Sequence, residues 1–158
     1  MSEHTMSLEW TRNTSDFNYD SYSRNHIVHF SDSGTICGSS APEFHGDPRC
    51  LDPEQAFVMS LASCHLLSFL TIASKKGYIV DKYADNAIGV LGKNQAGRSA
   101  MIRVDLRPEV VFSGTIVPTD EEHHVLHDHA HRGCIIANSI AESITVTITP
   151  TLIVAKTL

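Results

Sequence analysis

The chain has 158 residues, 42% of them hydrophobic and 19% charged, and a formal net charge of −6. A length of this kind fits one domain that buries about two-thirds of its unfolded surface, so a core needs no staple. With only 12 Lys and Arg, the sequence lacks the clustered cations that displace counterions, and no nucleic-acid partner is expected.

The N-terminal stretch MSEHTMSLEW has neither the basic nor the apolar region of a secretory signal, which makes the cytoplasm the expected compartment. Leu8 and Trp10 alternate with polar residues and predict an edge strand over 6–11. The turn-rich run 13–20 offers Phe17 and Tyr19 for packing onto a neighbour. Arg24 to Phe30 reads as a strand, Ser31-Asp32-Ser33-Gly34 as a turn, and Thr35 to Gly38 as the return strand of a hairpin. Two prolines with glycine and aspartate turn signals make 39–51 a loop.

That loop leads into the best-marked element, DPEQAFVMSLASCHLLSFLTIASKKG. Asp52 is a good N-cap, Pro53 suits the first helical position, and Gln55 completes a capping-box pattern. Lys75 and Lys76 suit the negative end of the dipole, and Gly77 suits the C′ position. Between the caps Phe57, Met59, Leu61, Leu66, Leu67, Phe69, Leu70 and Ile72 leave no broad polar face, so most of the cylinder must be covered. A run this apolar tests as a membrane span. Ser60, Ser63, His65 and Ser68 interrupt it and no second hydrophobic span exists, so a core helix is expected and no membrane partner.

Residues 78–93 and 100–111 predict an antiparallel pair about the turn Asn94-Gln95-Ala96-Gly97. Thr119, with Glu122 as its capping-box partner, opens a second helix that runs to about Arg132 before Gly133. The segment CIIANSI, from Cys134, predicts one or two helical turns. Residues 143–154, SITVTITPTLIV, predict a strand in which Pro150 sets a break or an edge. Strands, a long helix, strands, a helix and a strand, with no βαβ repeat, give an α+β fold in a single domain over 1–158.

Cys37, Cys50, Cys64 and Cys134 contain no CxxC pair, so neither a zinc ribbon nor a thioredoxin motif is present. Cys37 and Cys50 read as passive thiols. Cys64 lies inside the core helix, and Cys134 lies at what reads as the first turn of the next helix, where backbone amides favour a thiolate. Position alone leaves both as either small buried hydrophobes or reactive groups. His123, His127 and His131 fall on one helix face at i, i+4 and i+8, a spacing that can hold zinc. No HExxH or further ligand accompanies them, so no metal is expected and the face reads as solvated or pH-sensitive. His65 reads as a hydrogen-bonded core histidine.

The segment DPEQAFVMSLASCHLLSFL resembles the OsmC/Ohr family, in which a Pro-Glu-Glu/Gln start leads into an apolar helix carrying a cysteine ten residues after the glutamate. AHRGCIIANSI is similar to that family's second-cysteine motif, with Ile135 where a proline is usual. YSRNHIVHF then supplies the family's arginine as Arg24, with Arg49 the competing candidate. His65 stands where the family often has an aromatic or aliphatic residue. The similarity runs from Leu8 to Ile153.

This resemblance implies a thiol-dependent peroxidase acting on organic or inorganic hydroperoxides without metal or organic cofactor. Cys64 would be the peroxidatic thiolate and Cys134 the resolving thiol, their disulfide reduced by an external dithiol. Arg24 with Glu54 would polarise the peroxide and steady the thiolate. The implied fold places antiparallel sheets around the central helix in an intertwined homodimer. Ten helical residues span about 15 Å, so Glu54 and Cys64 cannot share a site within one helix; either a partner supplies one of them or Arg24 bridges the two. That separation, with a helix wanting cover on every side, also points to a homodimer with interfacial sites. Loop 39–51 is expected to shape the substrate pocket. The alternatives are a non-catalytic small-molecule-binding or stress-response protein on the same fold, and a histidine-rich metal-binding domain.

Overall fold

A computed structural model describes residues 1–30 and 34–155; Ser31, Asp32 and Ser33 of the expected hairpin turn lie outside the described residues. The chain divides into two compact units, Met1–Ala56 and Phe57–Leu158.

In the first unit β1 (Ser7–Glu9), β2 (His26–His29) and β3 (Thr35–Gly38) form an antiparallel sheet in that order, with β1 at the edge as its alternation predicts. His26 faces Gly38 and Ile27 faces Cys37 in the β2–β3 register. The loop that follows turns through a short 3₁₀ segment at Pro42–Phe44 and comes back beside β3. There Leu51 N–H donates to the Cys37 carbonyl at 2.9 Å, and Ser39 N–H donates to the Leu51 carbonyl at 3.0 Å. Cys37 and Cys50 are consequently close, 4.9 Å between Cα atoms, and joined in a disulfide. The reading of these two as separate passive thiols is corrected. Their pairing depends on the loop's return path, which no sequence spacing encodes.

The long helix α1 spans Pro53–Lys75. Its capping box is formed: Gln55 N–H donates to Asp52 Oδ1 at 2.6 Å, and Asp52 N–H donates to Gln55 Oε1 at 3.2 Å. At the other end Gly77 takes φ +81°. Tyr78 N–H then reaches the Ala73 carbonyl and Gly77 N–H the Ser74 carbonyl, a Schellman closure that satisfies two terminal acceptors. Only one row of α1, Leu61, His65, Phe69 and Ala73, is fully buried. The opposite row stays open, with Met59 50% and Leu67 62% exposed. All-round cover is therefore not supplied by a single copy of the chain. By length and composition α1 could cross a membrane, but its buried row packs into two protein cores.

Those cores come from the second unit, whose strands are β4 (Ile79–Asp85), β5 (Ile88–Lys93), β6 (Ser99–Leu106), β7 (Pro108–Ser113), β8 (Thr145–Ile148) and β9 (Thr151–Val154). The expected pair 78–93 with 100–111 is in fact four strands. β5 pairs with β6 and β4 with β7, in separate sheets ordered β5-β6-β8 and β4-β7-β9. Both sheets are mixed rather than wholly antiparallel, because β8 and β9 join β6 and β7 in parallel. The crossings between sheets share one place. Arg107 N–H donates to Asp85 Oδ1 at 2.8 Å, and Thr149 N–H donates to the Leu106 carbonyl at 2.9 Å. Pro108 and Pro150 sit at these crossings, where no ladder donor is needed.

The helix α2 (Asp120–Gly133) covers one core, placing Leu126 and Ala130 against Phe69, Ala73, Val110 and Phe112. Leu61, Val104 and Leu106 make the other. α2 starts as the sequence predicts, with Glu122 N–H donating to Thr119 Oγ1 at 3.2 Å and Thr119 N–H donating to Glu122 Oε2 at 2.9 Å. Thr119→Ala is expected to lower stability by about 1 kcal/mol, measured by urea unfolding. After α2 the expected one or two helical turns shrink to a 3₁₀ turn at Ala137–Ser139. Cys134 thus closes α2 instead of opening a new helix.

Candidate functional site

The second unit brings its two free cysteines together. Cys64 sits half-buried on α1, and Cys134 is buried at the end of α2, 1% exposed. The Cys134 side chain lies close enough to Cys64 for the two thiols to interact. Burial, and then that contact, push the Cys134 thiol up to about 11, against the pull of the Ala137 and Ile136 amides. Ala137 N–H reaches Cys134 Sγ at 3.3 Å. The expectation that helix-start amides favour a Cys134 thiolate is corrected. Two amides do face the sulfur, but desolvation outweighs them and Cys134 stays a thiol near neutral pH.

Arg24 and Glu54 belong to the first unit. The Arg24 guanidinium donates to the Tyr22 carbonyl at 2.6 Å and to the Tyr19 carbonyl. It also stacks over both rings, 4.0 Å from the Tyr22 centroid and 4.9 Å from that of Tyr19. The carboxylate fork expected between Arg24 and Glu54 is not among the ion pairs of the described residues; carbonyls and aromatic faces orient the cation. Arg49, the competing candidate, is paired with Asp47 at 2.8 Å.

Arg24 lines a cleft of about 440 Å³ whose other walls are mainly apolar, formed by Leu8, Trp10, Phe17, Tyr22 and Pro53 together with His26, Ser39 and Ser40. Trp10, Phe17 and Tyr22 pack edge-on and tilted, at centroid distances of 5.0 to 6.3 Å. Trp10 Nε1–H donates to the Ser23 carbonyl at 2.7 Å. Sequence reasoning found Arg24 but not this aromatic box, since Trp10, Phe17 and Tyr22 share no period.

The histidine face of α2 is also reassigned. His123 and His127 are 1% and 2% exposed, as is His65 of α1 at 1%. His65 Nε2 lies 2.9 Å from His127 Nδ1, and His127 Nε2 lies 3.1 Å from His123 Nε2. The face read as solvated is thus the inner one, packed on Phe69 with a ring distance of 4.3 Å to His127. His127 uses its two nitrogens on opposite neighbours, which is a chain of imidazoles rather than a chelate around one ion. No group of three His, Cys, Asp or Glu with metal-holding geometry occurs among the described residues. Burial holds His65 and His123 at about 4 and His127 at about 2, so all three are neutral at pH 7. Electrostatic repulsion from the side of His131 adds to the effect on His65, and the neighbouring histidines add to that on His127.

The sheets add two buried groups that sequence patterns did not signal. Among the described residues, Tyr83 Oη and Asp85 Oδ2 on β4 find no hydrogen-bond partner, and neither does His65 Nδ1. Burial raises both acids, and Asp85 raises Tyr83 further.

The sequence model of the OsmC family, described as OsmC-like protein, matches residues 45–149. The chain belongs to the OsmC-like proteins. This OsmC-like chain is 43% identical to an OsmC-like protein of unknown function from Vibrio cholerae O1 biovar eltor, over 94% of this chain and 100% of that one, with a TM-score of 0.86. An OsmC-like protein from Mycoplasma pneumoniae shares the fold at 19% identity and a TM-score of 0.72, covering 96% of this chain and 98% of its own. An organic hydroperoxide resistance protein from Legionella pneumophila does so at 17% and 0.66, covering 97% and 99%. Curated protein sequences offer no match. The α+β fold of the OsmC-like chain, with two helices and antiparallel and mixed sheets, agrees with these neighbours.

Proposed function

We propose that this OsmC-like protein is a thiol-dependent peroxidase that reduces organic hydroperoxides, and inorganic ones as a lesser substrate class. One observation carries the reading: the half-exposed Cys64 thiol is in contact with the buried Cys134 thiol, although the two are remote in sequence. The accessible sulfur is the one a peroxide can reach, and the buried one is kept protonated as a resolving thiol. Cys64 thiolate attacks one peroxide oxygen, the O–O bond breaks, and the alcohol leaves after taking a proton. Cys64 sulfenic acid then meets the Cys134 thiol. The S–S bond forms while the sulfenic hydroxyl leaves with the Cys134 proton as water. An external dithiol returns two electrons to the disulfide.

Arg24 is the cation of this reading and Glu54 its acidic companion, with Arg24 preset by its carbonyl and aromatic contacts. Exposed Met59 and Leu67 on α1 support a homodimer whose interface completes the sites. The cytoplasm is the proposed compartment, since the cycle needs a dithiol pool. The organic hydroperoxide resistance name of the Legionella pneumophila fold relative agrees with this class of substrate.

The test is mass-spectrometric mapping after one equivalent of cumene hydroperoxide. A Cys64–Cys134 disulfide forming as the peroxide is consumed supports the reading. Consumption without it removes Cys134 from the cycle, and no consumption in the presence of a dithiol favours the binding-protein alternative.

A further inference from the structure

The first unit holds a disulfide that the proposed peroxide cycle does not use. Cys37 is exposed on β3, and Cys50 is half-buried at the end of the 39–51 loop. That loop is one wall of the Arg24 cleft, through Ser39 and Ser40.

The contacts from the disulfide to Arg24 are short. Gly38, next to Cys37, lies under the His26 ring so closely that a Cβ there would stand 2.2 Å from His26 Nε2. His26 Nδ1 in turn lies 3.0 Å from the Arg24 carbonyl. From the loop side, Ser39 Oγ–H donates to Asn25 Oδ1 at 2.9 Å, and Asp47 N–H donates to Ser39 Oγ at 3.0 Å. Asn25 Nδ2–H closes the ring onto Asp47 Oδ2 at 3.1 Å. Gly46 presses on Ser40, where a Cβ would meet the Ser40 carbonyl oxygen at 1.5 Å. The loop is thus a closely folded layer, and the covalent link at its end is its one bond that a dithiol can open.

We infer that Cys37 and Cys50 form a second redox site, a dithiol–disulfide pair exchanged by an external dithiol, whose state sets how firmly the 39–51 loop walls the Arg24 cleft. A reductant thiolate attacks the sulfur of Cys37, the more exposed residue of the pair, the S–S bond breaks, and Cys50 leaves as a thiolate. The second reductant thiol then displaces Cys37 from the mixed disulfide. The reductant departs as a cyclic disulfide, two electrons are transferred, and its two protons end on Cys37 and Cys50. The closed pair holds the loop's end to β3; the opened pair leaves only the Leu51 and Ser39 backbone bonds there. The exchange at Cys37 and Cys50 uses neither Cys64 nor Cys134, so it does not rest on the peroxide cycle proposed for that pair.

The experiment uses the full chain carrying Cys64→Ser and Cys134→Ser, so that no other sulfur pair can respond. It is equilibrated in graded ratios of reduced to oxidised dithiothreitol. Three readouts follow: alkylation mass spectrometry of Cys37 and Cys50, the emission of Trp10, which is the single tryptophan, and the rate of tryptic cleavage after Arg49. Reversible reduction is expected, with the Trp10 emission shifting at the same midpoint and cleavage rising by roughly tenfold as the loop loosens. Cys37→Ser, or Cys50→Ala should that variant fold poorly, is expected to be fast-cleaved and insensitive to the dithiol while its helical circular dichroism is retained. Free, alkylatable Cys37 and Cys50 in the air-oxidised protein would overturn the inference. So would a pair that opens only with global unfolding, or one that opens without moving either Trp10 or Arg49.

Discussion

Cys64→Ser is expected to abolish peroxide turnover, by at least ~10³-fold, or about 4 kcal/mol of transition-state stabilisation. A hydroxyl is hardly ionised near neutral pH and is a far weaker nucleophile than a thiolate. The change is nearly isosteric and Cys64 lies at the half-exposed side of α1, so stability should move little. Cys134→Ser should behave differently. The Ala137 amide, 3.3 Å from Cys134 Sγ, can donate to the new hydroxyl, and the first half-reaction survives. One peroxide per chain is then consumed in a burst, leaving a Cys64 sulfenic acid that dimedone labels. Stopped-flow peroxide consumption separates the two patterns. A Cys64→Ser protein that still turns over would remove the peroxidase reading.

The second large effect is acid unfolding controlled by the His65–His127–His123 chain. In the unfolded chain each of these binds a proton near pH 6.5, whereas in the fold burial holds them at about 4, 2 and 4. The groups facing them are His131, His124 and Asp120 from α2 and Tyr83 from β4. Of these, Asp120 alone favours a charged histidine. The unfolded state therefore binds more protons below pH 6.5, so stability is full above that pH and falls as pH drops toward 4. Each histidine contributes roughly 1.4 kcal/mol per pH unit in that window. Together the three amount to roughly 10 kcal/mol by pH 4, comparable to the whole 5–15 kcal/mol that a domain commonly has to lose.

Carboxylates such as Asp47, held well below the usual carboxylate range chiefly by hydrogen bonds from Arg49, lose their contribution at lower pH still. Urea unfolding at stepped pH should thus show its steepest loss between pH 6.5 and 4. His127→Ala removes the central ring, its stack on Phe69 and both N–H···N contacts, at an expected cost of roughly 3–5 kcal/mol at pH 7. It should also flatten the slope between pH 6.5 and 4. A slope unchanged in His127→Ala would show that the acid response comes from other groups.

Legibility in the sequence followed from range. Asp52 with Gln55 and Thr119 with Glu122 are local hydrogen-bond arrangements of three-residue reach, and both capping boxes are formed. Gly77 takes the positive φ that its place after Lys75 and Lys76 predicts. The i, i+4 relation of His123 and His127 was visible too, but the side of α2 that it faces was not. Periodicity says that two residues share a face and is silent on whether that face meets water or Phe69.

The pairing of strands was the least legible feature. Residues 78–93 and 100–111 looked like two long strands because Asp85–Arg107, the contact that turns the chain from one sheet to the other, links residues far apart in sequence. The disulfide between Cys37 and Cys50 belongs with it, since Leu51 must first return along β3 before the sulfurs are near.

By itself the sequence determined the two helices, their ends, the α+β class and the family, because caps, turn residues and motif spacing act over a few residues and need no partner elsewhere. Only the tertiary structure decided that Cys134 meets Cys64 as a buried thiol, that three histidines form a neutral buried chain, and that Arg24 rests on carbonyls and aromatic rings. Those outcomes depend on which distant groups exclude water from a site. Desolvation is a property of everything packed around an atom, so no short stretch of sequence carries it.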